Sequence, residues 1–597
     1  MCGIIGVTGN IPKERLFTNA RDSLAHRGPD GSGIYYAAME GAALGHRRLS
    51  IIDLSDAGKQ PMHSHDGRFV ITFNGEIYNY IELKEELAKT YPFTTKTDTE
   101  VLLAAYALWG EKCLERFNGM FAFAIWDRKE RTLFCARDHL GIKPFFYHHA
   151  SDGTFFFASE IKGLGALGVP YAPNEGVIYD YLYHGYYDHT AQTFFKGINC
   201  LPAGHFLKWR RGNIAIQKYW DLADIRLPET PLSDMEVRGR FEELLTDAVR
   251  LQFRSDVPVG ISLSSGLDSN GLLFFSEKKT PRVPHMVSMC LQSDTYDECA
   301  LTDTYVNATQ RKRWHPIYLK PADVFARIEE MTAVEDQPFG GVSTTGLLFL
   351  YEHAREVGLT VLLDGDGLDE ILGGYKYYGL DFANDAGRIP VSGMVSHDAT
   401  AFLDRAILSP AFMMAHKDRR LRFDAPFASA LQNAQYRDIK HTRLLRDLRF
   451  KDHASMRAGR ELRVPFLDYR LVEFCFFLPT KFKIRGNVQK ALARDVLGAY
   501  VPPLVCARPK TAFPAVQVEW LRQNHYRDEI FSLLGSPSFR SRGFYDHKKL
   551  MEKVNAFYNG AGDNSFFLWQ CINLELWFRT FIERCTHHGY RTTSRIS

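Results

Sequence analysis

Val259-Gly260-Ile261-Ser262-Leu263-Ser264-Ser265-Gly266-Leu267-Asp268-Ser269 runs from apolar alternation into a turn of small polar residues. The first six positions predict a strand, and the residues from Ser269 onward predict a helix. Gly and Ser keep the connecting turn small and offer backbone N–H and hydroxyl donors, and a helix N-terminus adds partial positive charge. That combination suits phosphate. Bare phosphate repels Asp268, so the acid implies Mg²⁺ between the two. The plainer reading is a Ser/Gly turn that only caps a helix; its place directly after a strand favours phosphate.

Working outward, strands are expected over 259–264, 284–291 and 359–364, with helices from 269, from 298 and over 347–357 between them. Such alternation makes a parallel sheet with crossover helices, whose ligands bind at the carboxyl ends of the strands. The third strand runs into Asp364-Gly365-Asp366-Gly367-Leu368-Asp369-Glu370, then Gly373-Gly374-Tyr375. Acids so crowded repel one another, and a cation or cationic substrate holds them together at low cost. The alternative is a polar loop with Asp369 and Glu370 as first-turn helix acids; the flanking glycines favour a Mg²⁺ or nucleotide site. From about 395 the chain is mainly helical. It carries Arg463-Val464-Pro465-Phe466-Leu467-Asp468, Lys490 and Arg508-Pro509-Lys510. Cations facing an acidic cleft can neutralise a leaving pyrophosphate, although each of them read alone is a surface residue.

Upstream, the pattern is β-rich, with strands expected over 3–7, 34–37, 69–73, 120–126, 132–136 and 154–158. Helices fit 14–25, 80–88 and 99–109, the last capped by Asp98 or Thr99. This is an α+β pattern, a mostly antiparallel sheet packed on helices or on a second sheet. A shift to Pro, charge and Thr near 222–234 marks a linker, followed by a helix with the apolar stripe Phe241, Leu244, Leu245, Ala248, Val249. At the start, Met1-Cys2-Gly3-Ile4-Ile5-Gly6 places a Cys after a removable Met. Loss of Met1 puts a thiol and a free α-amino group on one residue. That amine has a pKa of roughly 7.7–8.0 and can serve as the base that yields a thiolate. The alternative is an ordinary second residue in a frayed terminus.

The 597 residues imply at least two domains, and 45% hydrophobic content is ample for large cores. A net charge of +3, from 73 basic and 70 acidic residues, gives no reason to expect nucleic acid or a membrane as partner. The densest basic stretch, 416–422, reads as a solvated helix face. The ten Cys form no CxxC pair and no zinc-ligand spacing, which fits reduced thiols in a cytoplasmic protein. No charged-then-apolar leader precedes Cys2, and no apolar run approaches the roughly 20 residues of a membrane span.

Taken in order, the motifs resemble the glutamine-dependent asparagine synthetases (class B) over about residues 2–520. The first half is similar to class II glutamine amidotransferases. It carries Met1-Cys2-Gly3-Ile4, His26-Arg27-Gly28-Pro29-Asp30, Gly45-His46-Arg47-Arg48-Leu49-Ser50-Ile51 and Asn74-Gly75-Glu76-Ile77-Tyr78-Asn79. Gly119-Met120-Phe121-Ala122-Phe123 and Arg137-Asp138-His139-Leu140-Gly141 follow. The second half resembles the ATP-pyrophosphatase synthetase domain of that family. The resemblance implies an α+β N-terminal-nucleophile αββα sandwich over 2–220, a linker over 221–235, and an α/β parallel-sheet ATP-pyrophosphatase domain with added helices over 236–597.

It also implies roles. Cys2 attacks the glutamine amide, and Asn74 and Gly75 form the oxyanion hole. Arg48 holds the α-carboxylate; Glu76 and Asp98 hold the α-ammonium. Leu263 and Met289 flank the adenine of ATP, while Ser264, Ser265, Gly266, Asp268 and Ser269 meet its phosphates. Asp364 and Gly365 contact the nucleotide, Asp268 and Asp369 bind Mg²⁺, Asp366 assists acyl-adenylate formation, and Lys490 steadies pyrophosphate. The implied product is asparagine, made from aspartate through β-aspartyl-AMP with ammonia passed inside the protein, in a cytoplasmic enzyme for which a homodimer is one assembly. Ser265 and Ala512 stand where Gly is usual, and Asp364 where Ser or Thr is common; His453 and Arg457 also depart from the usual Arg and Ala. These departures bear on which carboxylate is amidated, a sugar acid or cell-surface precursor being the alternative. A catalytically silent binding protein is the reading of another class; Cys2, Asp268, Asp369 and Lys490 together argue against it.

Overall fold

The structure, a computed structural model, describes residues 2–583 apart from 227–231, 280–283, 294–297, 307–310, 381–403 and 508–513. Arg508, Lys510 and Ala512 therefore lie outside the described residues. The first half contains β1 (Gly3–Thr8), β2 (Gly31–Ala37), β3 (Ala42–Arg48), β4 (Met62–His63), β5 (Phe69–Ile77), β6 (Gly119–Asp127), β7 (Thr132–Arg137), β8 (Phe146–His149), β9 (Phe155–Ala158), β10 (Ile198–Cys200), β11 (His205–Arg210) and β12 (Asn213–Lys218). They form two six-stranded sheets, ordered β10-β8-β9-β1-β3-β2 and β12-β11-β7-β6-β5-β4, with antiparallel pairing throughout. The sheets lie face to face over Ile4, Leu44, Val70, Ala122 and Trp126. Across the gap the Thr72 hydroxyl donates to Gly45 O at 3.1 Å. Helices Glu14–Asp22 and Ile161–Ala166 cover the outer face of the first sheet, and Tyr80–Leu87 and Asp98–Trp109 that of the second. This is the expected αββα sandwich. Every residue of β5 is buried, since one face meets the other sheet and the opposite face meets a helix.

Two boundaries differ from expectation. The helix expected over 14–25 ends at Asp22, where the chain turns so that Arg27 can reach back to Cys2. The helix expected over 99–109 begins at Asp98, and its cap is neither Asp98 nor Thr99 but Thr97, whose hydroxyl accepts from Thr99 N at 3.3 Å.

The second half is built on β13 (Val259–Ser262), β14 (His285–Leu291), β15 (Trp314–Leu319), β16 (Val361–Leu363) and β17 (Glu461–Arg463). Their order is β15-β14-β13-β16-β17, all neighbours parallel. Sequence reading found β13, β14 and β16. β15 holds Pro316 and survives because it is an edge strand, where a missing N–H costs little; β17 is too short to show a period. Helix Asp234–Gln252 is started by a Ser233/Glu236 capping box, and its stripe Phe241, Leu244, Leu245, Ala248, Val249 is buried as expected. Among the described residues no helix is long and apolar enough to cross a membrane.

The halves are not beads on a string. One apolar cluster runs from Phe17, Leu24 and Ile161 on the first sheet to Tyr351, Trp569 and Trp577 among the later helices. Asn118 Nδ2 donates to Asp468 Oδ2 at 2.8 Å, and Trp220 Nε1 to Glu473 Oε1 at 2.7 Å. Two further expectations fail. Cys290 on β14 and Cys299 on helix Glu298–Val306 are joined in a disulfide rather than left as thiols, because that helix packs on β14 and brings their Cα atoms to 5.4 Å. The stretch 416–422 is not a helix face: helix Pro410–Ala415 stops before it, and Arg419 turns inward to pair with buried Asp180, Nε to Oδ1 2.6 Å.

Candidate active sites

Cys2 lies buried at the head of β1. Its backbone N donates to Asn74 Oδ1 at 2.9 Å; with Met1 removed, that nitrogen is the α-amino group. Its carbonyl accepts from Arg27 Nε at 3.0 Å. Arg27 is itself fixed by Glu160, Nη1 to Oε1 2.8 Å, and by Asp452 of helix Leu444–Arg457, Nη1 to Oδ2 2.9 Å. Cys2 is thus tied to both halves of the chain. Burial pushes the Cys2 thiol above its ordinary range, and the charge of Arg48 offsets part of that. Loss of Met1 would leave a basic amine on the same residue as that sulfur.

Asn74, Gly75 and Glu76 follow one another on β5. Asn74 is fully buried, and among the described residues its Nδ2 has no hydrogen-bond partner. An unpaired buried donor costs about 1–3 kcal/mol and marks a place where an acceptor can enter. Gly75 must be Gly: its φ is +153°, and a Cβ there would collide with Met120 O on β6. Behind it, Asp98 Oδ2 accepts from Ile77 N at 2.9 Å. Burial, reinforced by Glu461 and Asp98, pushes Glu76 well above the usual carboxylate range. Burial likewise pushes Asp98 up to about 6. Arg48 clamps the loop after β3, donating to Ser55 O at 2.7 Å and to Asp53 O, and its guanidinium fills the space a Cβ at Gly58 would need.

The second cluster forms at the carboxyl ends of β13 and β16. Ser264 and Ser269 close the turn between them, Oγ to Oγ 2.9 Å, and Asn270 Nδ2 donates to Ser264 O and Gly266 O, both at 2.8 Å. Ser265 is buried and Gly266 exposed within it. Leu263 N donates to Val287 O at 2.8 Å, and Met289 lies on neighbouring β14 with its Sδ against Gly346. Asp268 and Asp369, a hundred residues apart, meet at one point. Lys490 Nζ lies 2.7 and 2.6 Å from the Asp268 oxygens and 2.6 Å from Asp369 Oδ1. Burial works against the Lys490 charge, but these two acids hold its pKa above the ordinary value. Lys490 has φ +54° and caps helix Ala491–Leu497. Gly374 makes room, because a Cβ there would collide with Asp369 Oδ1 and Lys490 Cε. Two carboxylates converging on one cation fit a divalent ion that arrives with phosphate. Among the described residues no group of three or more His, Cys, Asp or Glu forms a metal cage, so water and substrate oxygens would complete any such shell.

Asp364 and Asp366 leave the end of β16 beside this cluster, and Gly365 between them packs against Asp268 and Ser269. Lys451, from helix Leu444–Arg457, reaches both acids. Burial, with Asp364 adding to it, raises Asp366 to about 8. Sequence reading missed Lys451, which looks like any lysine on an amphipathic helix. It also missed the anchoring roles of Arg27 and Asp452. Arg27 stands in the quoted His26–Asp30 motif, the one signal that was available.

Arg463 is a correction. It was expected at the pyrophosphate cleft, but it is fully buried and points the other way. It pairs with Glu461, Nε to Oε1 2.5 Å, donates to Gln252 O and Arg254 O at 2.7 Å, and stands 3.9 Å from Glu76 Oε2. The β17 pleat sends Glu461 and Arg463 to the same side, toward the Cys2 cluster, while the Arg463 carbonyl faces Asp364 N at 2.8 Å. One strand thus touches both sites.

A glutamine amidotransferase domain family matches residues 1–220, and the asparagine synthase family matches residues 240–579. The chain belongs to the asparagine synthase family. Relatives within reach of this family include asparagine synthetase [glutamine-hydrolyzing] 1 of Bacillus subtilis, 29% identical over 98% of this chain and 97% of that one. A putative asparagine synthetase [glutamine-hydrolyzing] of Mycobacterium bovis is 30% identical over 98% of each chain. The protein named amidase chry2 of Gibberella zeae is 26% identical over 90% of each.

Proposed function

We propose that this chain is a glutamine-hydrolysing asparagine synthase: it activates the side-chain carboxylate of aspartate with ATP and amidates it with ammonia taken from glutamine. One observation carries the reading. A single chain holds Cys2 N on Asn74 Oδ1 at 2.9 Å and, separately, Lys490 between Asp268 and Asp369. The glutaminase portion is taken as 2–220, the linker as 221–235 and the synthetase as 236–597.

In the first site the α-amine of Cys2 takes the thiol proton, and Sγ attacks the glutamine amide carbon. The free Nδ2 of Asn74, with Gly75 N–H, meets the oxyanion as charge develops there. The amine then returns a proton to the departing ammonia, and water cleaves the thioester. Glu76 and Asp98 receive the substrate α-ammonium, which pulls their raised pKa values down by pairing with them. Arg48 serves the α-carboxylate by ordering the loop around it. In the second site the Ser264–Ser269 turn cradles the phosphates of ATP. Mg²⁺, held by Asp268 and Asp369, would supply charge neutralisation of the phosphates. Lys490 accompanies the leaving pyrophosphate, and Asp366 faces the carboxylate that becomes the acyl-adenylate. Ammonia, neutral and carrying a lone pair, completes the amide and expels AMP.

The test is direct: purified protein with glutamine, ATP, Mg²⁺ and aspartate should form asparagine, AMP and pyrophosphate. Absence of all three products removes the reading. The alternative acceptor is another small carboxylate such as a sugar acid, since Asp364 stands where Ser or Thr is common. Pyrophosphate release that ignores aspartate but responds to such an acid would select it.

A further inference from the structure

Nothing in the local sequence separates Lys451 from a surface lysine, yet its Nζ lies 2.8 Å from Asp364 Oδ1 and 2.7 Å from Asp366 Oδ1. Both acids border the phosphate turn. A Cβ at the intervening Gly365 would stand 3.0 Å from Ser269 N and 3.1 Å from Asp268 Cβ. Two uncompensated carboxylates there repel each other and any triphosphate entering the turn; one ammonium shared between them offsets both penalties. Lys490 is already committed to Asp268 and Asp369. Lys451 is held for the task by its neighbours, since Phe450 is buried and Asp452 is locked to Arg27 at 2.9 Å. Its side chain keeps 21% exposure, so it is not sealed within the core.

We propose that Lys451 is a positioning residue of the synthetase site: its ammonium bridges Asp364 and Asp366, cancels the charge of Asp364 beside the nucleotide, and holds the Asp366 carboxylate in place toward the reacting acid. The proposal rests on the ATP-dependent reading above. It is specific to a cleft in which position 364 is an acid, and that gives a distinctive test.

ATP affinity by calorimetry in the presence of Mg²⁺, acceptor-dependent pyrophosphate release, and glutaminase activity are measured on the full chain. The variants are Lys451→Ala, Lys451→Arg, Asp364→Ser and the double variant Lys451→Ala/Asp364→Ser. Lys451→Ala should weaken ATP binding about tenfold or more and lower pyrophosphate release about 100-fold, with glutaminase within about twofold as the check on folding. Lys451→Arg should keep ATP affinity within about threefold, since the charge and two donors remain. The double variant should recover at least about tenfold over Lys451→Ala, because the charge that needed cancelling is gone; losses that simply add would not do this. Lys451→Ala binding ATP and turning over within about threefold of the parent, or a double variant no better than Lys451→Ala, overturns the proposal. If the parent releases no pyrophosphate with any acceptor, the functional reading fails while the ATP affinities still judge Lys451; a parent that binds no ATP overturns both.

Discussion

Replacing Asn74 by Ala removes two things at once. The side chain holds the Cys2 nitrogen through Oδ1 at 2.9 Å, and it carries a buried Nδ2 with no partner among the described residues, the proposed oxyanion donor. An oxyanion-hole donor contributes about 2.7–4 kcal/mol to the chemical step, and a single orienting hydrogen bond about 1 kcal/mol. Together these predict a loss of roughly 10³-fold in the kcat for glutamine hydrolysis, at about 1.4 kcal/mol per factor of ten. The KM for glutamine should move little, because the donor acts on charge that exists only in the transition state. Ammonia-dependent synthesis should survive, since the Asp268–Lys490–Asp369 cluster lies elsewhere. Asn74→Asp sharpens the test: it keeps an acceptor for the Cys2 nitrogen but places negative charge where the oxyanion forms, so it should be at least as slow. The assay is glutamate release at saturating glutamine, alongside ammonia-supported pyrophosphate release. Asn74→Ala retaining more than about a tenth of the parental kcat would refute the oxyanion assignment.

Three more outcomes follow from the same geometry. The Asp98 carboxyl, raised by burial to about 6, is ionised above that pH and protonated below it; its loss of charge should make the KM for glutamine climb as pH falls through 6, by up to about tenfold per unit, as initial rates across that range will reveal. Gly374→Ala drives a Cβ into Asp369 Oδ1 and Lys490 Cε, so pyrophosphate release should drop about 100-fold or more with glutaminase preserved, and a normal synthetase rate would count against the cluster. Arg463→Met should impair glutamine hydrolysis more than ATP affinity, since Arg463 serves Glu461 and Glu76 rather than phosphate; the reverse order would return Arg463 to the phosphate cleft.

The legible parts of this chain were those with local chemistry. The Ser264–Ser269 turn announces itself because a strand, a run of small polar residues and a helix follow in order. The Asp364–Glu370 run is legible because so many acids in one loop demand a cation. Cys2 is legible from its place in the chain. Pairings across long separations were not legible from residues alone. Cys2 and Asn74 are 72 residues apart, and Asp268 and Lys490 are 222 apart. The family resemblance, not spacing, put those names together. Arg463 went astray because a cation near an acidic motif looks like a phosphate ligand, and the short β17 gave no period from which to tell which side it faces. Lys451 and Asp452 show the same limit from the other side. They are adjacent on one helix, yet one reaches Asp364 and Asp366 and the other Arg27 beneath Cys2, a division that only packing reveals. The Cys290–Cys299 bond likewise depends on a helix lying on β14, which the spacing of nine does not announce.

Delivery of nitrogen freed at Cys2 to an acid activated within the same chain can be followed isotopically. Turnover of glutamine carrying ¹⁵N in its side-chain amide, with ATP, Mg²⁺ and aspartate in excess unlabelled ammonium, measures this by mass spectrometry of the product amide. The expected asparagine amide is predominantly ¹⁵N, and in Cys2→Ala it is drawn wholly from the unlabelled pool. An amide carrying the isotopic ratio of the bulk solution in the parent protein would contradict it.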